Sequence, residues 1–193
     1  MLGAGGHANS ILNVASALGL EVAYVIDEEK FKNSSDKTWQ GIQLLGSDKL
    51  ITKFSPSEYG LILGIGPSVQ TSVRTQLFGE MTSLGYDFPV LISPNAVISM
   101  DAVIERGTQI LFNSYIGPGA RIGSNCVINT GTIVEHDVRI LDNVHLAPGS
   151  CVLGGCTIGQ NCFIGAKSCV IQNMIVPDDT FVKAGKVYSI KCI

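Results

Sequence analysis

Every sixth residue from Ile98 to Val182 is Ile, Leu or Val: Ile98, Ile104, Ile110, Ile116, Ile122, Ile128, Val134, Ile140, Leu146, Val152, Ile158, Ile164, Val170, Val176 and Val182. These three residue types supply 54 of the 193 residues, so an unbroken run in one register has odds of about 10^8 to one against chance. A helix needs apolar recurrence near 3.6 residues and a half-buried strand near 2, and a period of six serves neither for long. Two residues before each aliphatic stands a mostly small side chain, such as Ala96, Ala102, Thr108, Ser114, Ala120, Cys126 and Thr132. A chain that turns a corner every six residues sends both positions inward. The aliphatic fills a prism and the small residue relieves the crowded corner. Three short strands then close a coil of 18 residues, and the run makes five coils.

The repeat resembles the hexapeptide-repeat acyltransferases. That resemblance implies a left-handed parallel β-helix, a homotrimer and active sites between neighbouring prisms. Trimerisation also has a physical motive, because flat prism faces leave apolar area to cover and the ends leave unpaired strand edges. The alternative is a β-solenoid scaffold without chemistry.

Composition leaves room for a second unit. The chain is 46% hydrophobic and 15% charged, enough for two modest domains with real cores. A net charge of −3 gives no basic footprint, which excludes nucleic acid as the expected partner. No apolar stretch is long enough to span a bilayer and no charged-then-apolar leader opens the chain, so a soluble cytoplasmic protein is expected. Cys126, Cys156 and Cys162 fall on the small inward position, where a thiol is a compact filler. Cys151 and Cys169 are one coil apart, which places them at about the 4.8 Å strand spacing. In a reducing cytosol they stay free thiols. No Cys and His spacing fits a zinc site, and no metal is expected.

Residues 1–92 follow a different grammar. A glycine turn, Gly3-Ala4-Gly5-Gly6-His7-Ala8, precedes a helical stretch over about 9–18. A strand ends at Asp27, and the apolar run Leu61-Ile62-Leu63-Gly64-Ile65-Gly66 reads as another. A helix is expected over about 68–84, a strand over about 88–92, and a polar loop over about 32–38. Alternating strands and helices predict a Rossmann-like α/β domain over 1–92, followed by the β-helix over 93–193.

Gly3, Gly5 and Ala8 fit a dinucleotide turn, with Asp27 about 20 residues on. Only Met1 and Leu2 precede that turn as a first strand, however, and no room exists for a second mononucleotide half before Ile98. A hydride-transfer cofactor is therefore set aside. Backbone N–H groups at the helix start still suit a phosphate or a sugar hydroxyl.

The glycine turn, the Asp27-Glu28 pair, the Ile65-Gly66 strand end and the downstream hexads together resemble the bacterial sugar O/N-acyltransferases. That family includes sialic acid O-acetyltransferases and N-acetyltransferases of nucleotide-linked 4-amino sugars. The resemblance implies acetyl-CoA as cosubstrate and places the nucleotide sugar against Gly6, His7, Ala8, Asp27, Glu28, Lys30 and Gly66. It places acetyl-CoA against His145, Ala166 and Ala184. The C-terminal stretch from Ala184 lacks the family's Gly-x-Pro-Ala-Lys ending.

His136 follows Val134 by two residues, at a corner that points outward, between Glu135 and Asp137. An outward histidine with a carboxylate to orient it is a candidate general base, and Glu135-His136-Asp137 matches the family's His-acid pair. One coil above His136 lies Gly154, whose open N–H could receive a tetrahedral oxyanion. Pro148, Ala166 and Ala184 share another corner column, with small side chains against which a pantetheine arm could lie. Asn129 is a candidate sugar contact. The expected reaction is direct N-acetylation of a nucleotide-linked 4-amino sugar in surface glycan synthesis. O-acetylation of sialic acid and a non-catalytic trimeric scaffold are the alternatives.

Overall fold

The structure, a computed structural model, describes residues 1–68 and 73–189. The chain divides into two compact units, Met1–Pro89 and Val90–Ile193. The start of the expected helix over 68–84, and the last residues of the C-terminal stretch with Cys192, lie outside the described residues.

The second unit is a parallel β-helix of two-residue strands stacked into sheets of six, six and five. Each strand pairs with the one 18 residues on, as in Val127↔His145 and Ile128↔Leu146. We call the sheet that begins at Leu91–Ile92 the first face, the one at Val97–Ile98 the second, and the one at Val103–Ile104 the third. From Ile110 to Val176 the sixth-residue aliphatics are at most 2% exposed, and together they form one continuous core. The ladder runs one hexad past the aliphatic run at each end, to Ile92 and to Tyr188. This corrects the expectation for 88–92. Leu91–Ile92 is not a strand of the N-terminal sheet; it pairs with Gln109–Ile110, because Ile92 already stands in the sixfold register.

The corners have a rule of their own. From Gly107 to Gly185 every sixth residue takes a positive φ, and Gly, Asn or Asp fills each of these positions except Lys167. These are the residues that tolerate the left-handed region at least strain. Side chains reinforce the stack: Asn125 Nδ2 donates to Asn143 Oδ1 at 2.8 Å, and Asn161 Nδ2 to Asp179 Oδ1 at 3.0 Å.

The first unit contains helix α1 (Gly6–Ala17), strand β1 (Tyr24–Ile26), helix α2 (Glu28–Asn33), strand β2 (Thr38–Trp39), strand β3 (Ile42–Leu45), a 3-10 turn (Asp48–Lys53) and helix α3 (Val73–Ser83). β1 pairs parallel with β3, and β2 pairs antiparallel with β3. The two apolar segments read as strands around Leu2 and over 61–66 contribute only bridges, Leu2 to Ile26 and Leu2 to Leu63. The polar stretch 32–38 divides between the end of α2 and the start of a hairpin. Gln40 and Gly41 both take positive φ there, as a two-residue turn of that kind requires.

Candidate active site

His136 and Gly154 occupy successive coils of the corner between the second and third faces. His136 lies between strands Ile133–Val134 and Arg139–Ile140, and Gly154 between Cys151–Val152 and Thr157–Ile158. Asp137, next in the chain, fills the left-handed turn position with φ 58°. That twist brings its carboxylate back to the ring: His136 Nδ1 lies 2.9 Å from Asp137 Oδ2, with the two side chains 62% and 74% exposed. With Nδ1–H donating to the carboxylate, Nε2 keeps its lone pair and can accept a proton.

Nε2 is also the reason position 154 is glycine. A Cβ placed there would stand 2.5 Å from His136 Nε2 and 2.6 Å from its Cε1, closer than real carbon contacts come. The neighbours of Gly154 carry the ladder, Leu153 N–H to Val170 O and Gly155 N–H to His136 O. Among the described residues no backbone bond uses the Gly154 N–H. Gly119, one coil below Asp137, is bare for a related reason, since a Cβ would lie 2.7 Å from Asp137 Oδ1.

The positions expected to meet acetyl-CoA gather elsewhere on the prism. Ala166 and Ala184 turn the corner between the first and second faces, and His145 lies on the first face. His145 is 7% exposed, packs edge-on against Phe163 with centroids 4.5 Å apart, and its Nε2 lies 3.3 Å from Asn129 Nδ2. Asn129 therefore belongs with His145 and not with His136. The two corners are separated by the width of the second face, roughly 15–20 Å at about 3.3 Å per residue. One copy of the prism does not bring His136 and the small-residue column together.

In the first unit, the glycine turn is bound to the strand ends by backbone. Gly3 N–H donates to Ile26 O at 2.8 Å, and Ala4 N–H to Asp27 Oδ2 at 2.9 Å. Asp27 Oδ1 accepts from Lys30 N–H at 2.9 Å and so caps α2. Both carboxylate oxygens of Asp27 are thus engaged in holding the turn against α2. A Cβ on Gly64 would approach Gly3 O to 2.6 Å, so the two segments meet backbone to backbone. Gly66 faces His7 in the same way, its would-be Cβ 3.1 Å from the His7 Cβ. Gly5 caps α1 without a side-chain bond and Gly6 has open space above it, which leaves the start of α1 approachable. Ala8 is fully buried. Glu28 bonds Lys32 at 2.6 Å, and that ammonium holds its carboxyl below the ordinary carboxylate range. Lys30 is exposed on α2. Among the described residues no three metal-ligating side chains come together.

Residues 1–81 match the family model of the PglD N-terminal domain, and residues 101–136 and 137–172 match the bacterial transferase hexapeptide model of six repeats. PerB from Caulobacter crescentus, solved with CoA and GDP-perosamine, is 28% identical at a TM-score of 0.83, over 97% of this chain and 86% of that one. The acetyltransferase domain of PglB from Neisseria gonorrhoeae, solved with acetyl coenzyme A, is 26% identical at a TM-score of 0.85, over 95% and 86%. The two matches fall on the two units of the chain, which is an acyltransferase with hexapeptide repeats. WeeI from Acinetobacter baumannii, at 22% identity and a TM-score of 0.78 over 97% and 89%, shares the fold. As in these acyltransferases, a small α/β region precedes a left-handed parallel β-helix, which is the architecture expected from the hexads.

One feature of the site escapes a reading of the sequence and a second is legible there. The engagement of Asp27 with the Ala4 N–H depends on a contact between segments 23 residues apart. The left-handed slot that aims Asp137 is visible in the sequence as a sixfold run of Gly, Asn and Asp.

Proposed function

We propose that this sugar acyltransferase moves the acetyl group of acetyl-CoA to the amine of a nucleotide-linked 4-amino sugar, with His136 as general base. The observation that carries this reading is the His136 Nδ1 to Asp137 Oδ2 bond at 2.9 Å, with Nε2 left facing the bare backbone of Gly154. Asp137 holds the tautomer and steadies the imidazolium that forms. The neutral amine attacks the thioester carbonyl, and Nε2 takes the proton that the nitrogen sheds. The carbonyl oxygen gains negative charge beside the Gly154 N–H. As the tetrahedral centre collapses, the C–S bond breaks, the amide remains on the sugar, and the imidazolium proton passes to the departing thiolate. No residue is acylated on the way.

The start of α1, flanked by Gly5, Gly6, His7 and Gly66, offers N–H donors suited to a sugar phosphate or hydroxyl, and Glu28 and Lys30 on α2 follow Asp27. Asp27 supports that turn from beneath, through Ala4. The acetyl-CoA column of Ala166 and Ala184, with His145 and Asn129 near it, belongs to a different corner from His136. A complete site therefore takes His136 from one copy and the column from the next, and a homotrimer provides that arrangement. The reaction belongs in the cytosol, in the building of surface glycans. PerB was solved with CoA and GDP-perosamine, which makes GDP-perosamine the acceptor to try first.

The test follows free thiol release from acetyl-CoA with GDP-perosamine and with sialic acid, for wild type and His136→Ala. Turnover with the amino sugar nucleotide that falls at least about a thousandfold in His136→Ala supports the reading, as general-base loss commonly has an effect of 10²–10⁴. Turnover with sialic acid alone moves the assignment to O-acetylation. Equal rates in wild type and variant remove His136 from the mechanism.

A further inference from the structure

The third face carries two arginines that form no ion pair. Its outward row is Val103, Arg121, Arg139, Thr157 and Ile175. Arg121 and Arg139 are Cα partners on adjacent parallel strands, about 4.8 Å apart, and both are exposed. Like charges directly opposite one another in a sheet repel. A sheet tolerates such a pair where an anion lies between the two guanidinium groups.

No carboxylate of the described residues lies within ion-pair distance of either arginine. Among the described residues the ion pairs are Lys32 with Glu28 and His136 with Asp137. The aspartates on the corners flanking this face are already committed to other bonds. Asp101 accepts from Gly119 N–H at 3.0 Å, Asp142 from Ser124 N–H at 2.7 Å, Asp178 from Gln160 N–H at 2.8 Å, and Asp179 from Asn161 Nδ2 at 3.0 Å. Asp137 holds His136. Glu105, at the far end of the Val103–Ile104 strand, forms no ion pair with either arginine. The row above and below the pair is uncharged, with Val103 38% and Ile175 74% exposed.

The position is as telling as the charge. Arg139 opens the strand that leaves the His136 corner, three residues on from the base, and its side chain leaves the prism on the adjoining face. We infer that Arg121 and Arg139 form a phosphate-binding clamp beside the catalytic corner. Two guanidinium forks stacked one coil apart match the spread oxygens of a phosphate or diphosphate, which a pair of ammonium groups would meet only as point charges. Both substrates of the proposed reaction carry such groups, the acceptor in its nucleoside diphosphate and the donor in the phosphates of coenzyme A. The inference rests on the acetyl-transfer reading for that choice of ligands, while its test needs no turnover.

The experiment is calorimetric titration of wild type, Arg121→Gln, Arg139→Gln and Arg139→Lys with four probes: coenzyme A, 3′-dephospho-coenzyme A, GDP and UDP. Loss of one charge-assisted phosphate contact weakens binding by about tenfold or more. The expected result is that loss for one class of probe in both glutamine variants, with part of the affinity retained in Arg139→Lys and a steep decline with salt in wild type. A loss confined to coenzyme A assigns the clamp to the donor, and its absence with the dephospho form narrows it to the 3′-phosphate. A loss confined to GDP or UDP assigns it to the acceptor diphosphate. Unchanged affinity for all four probes overturns the clamp, as does failure of wild type to bind any of them. Dissociation of the oligomer in both glutamine variants by sedimentation, with coenzyme A and nucleotide affinity intact, also overturns it and makes the pair a subunit contact. If binding behaves as expected and thiol release still never occurs, the clamp stands and the acetyl-transfer reading falls.

Discussion

Gly154 and His136 depend on each other through a single excluded atom. The imidazole lies where a Cβ at 154 would be, so Gly154→Ala must push the ring aside even though its N–H remains. Displacing a catalytic group by about 1 Å commonly lowers turnover roughly a hundredfold, and that is the expected fall in kcat. Circular dichroism and melting temperature should stay near wild type. A variant with full kcat would remove the proposed contact from the mechanism. Cys151 gives a second prediction at this scale. Burial, and then the neighbouring Cys169, push its thiol up from the ordinary 9 to about 11. Because the folded state keeps its proton longer than the unfolded chain, the associated stability is present in full below pH 9 and is lost as pH rises towards 11. Denaturant titrations across that window should show wild type losing stability relative to Cys151→Ser, and parallel curves would contradict the shift.

At the scale of the element, the hexad was legible because its inward aliphatics repeat without a break, and a buried position tolerates few substitutes. The turn slot was written equally openly in Gly, Asn and Asp, yet its most consequential member is Asp137, where left-handed geometry also orients the His136 imidazole. Lys167 is the exception in that column, a long side chain held at φ 54°. Left-handed backbone costs an L residue about 1–2 kcal/mol, against which glycine adds unfolded-state entropy, so Lys167→Gly should stabilise the protein by roughly 0.5–1 kcal/mol. Chemical denaturation would measure it, and a destabilised variant would mean that the lysine stem makes a contact worth more than the strain. The N-terminal elements were less legible. Leu2 and Leu63 form only isolated bridges, and Leu91–Ile92 left the expected α/β sheet for the prism. An apolar run signals burial and leaves open which ladder it will join.

At the scale of the whole molecule, the proposed site draws on two copies. His136 and the Ala166 to Ala184 column turn different corners, so two copies that are each inactive for opposite reasons should complement each other. His136→Ala carries a sound column, and Ala166→Trp, which fills the column, carries a sound base. Unfolded together and refolded in equal amounts, they should recover about a quarter of the wild-type activity if subunits assort at random in a cyclic oligomer. No recovery in a properly assembled mixture would place both halves of the site within one chain.

By itself the sequence determined the architecture of the repeat, the outward corner occupied by His136 and the stacking of Gly154 above it, because a ladder of fixed period turns residue number into position. Tertiary structure decided what that arithmetic leaves free. It turned Asp137 Oδ2 onto His136 Nδ1, set Asp27 between the Ala4 N–H of a distant turn and the Lys30 N–H of its own helix, and paired Asn129 with His145. Each of these depends on the direction of a side chain or on contact between segments remote in sequence. A periodic pattern specifies which residues stack, whereas the rotamer each one adopts is set by the neighbours that folding brings to it.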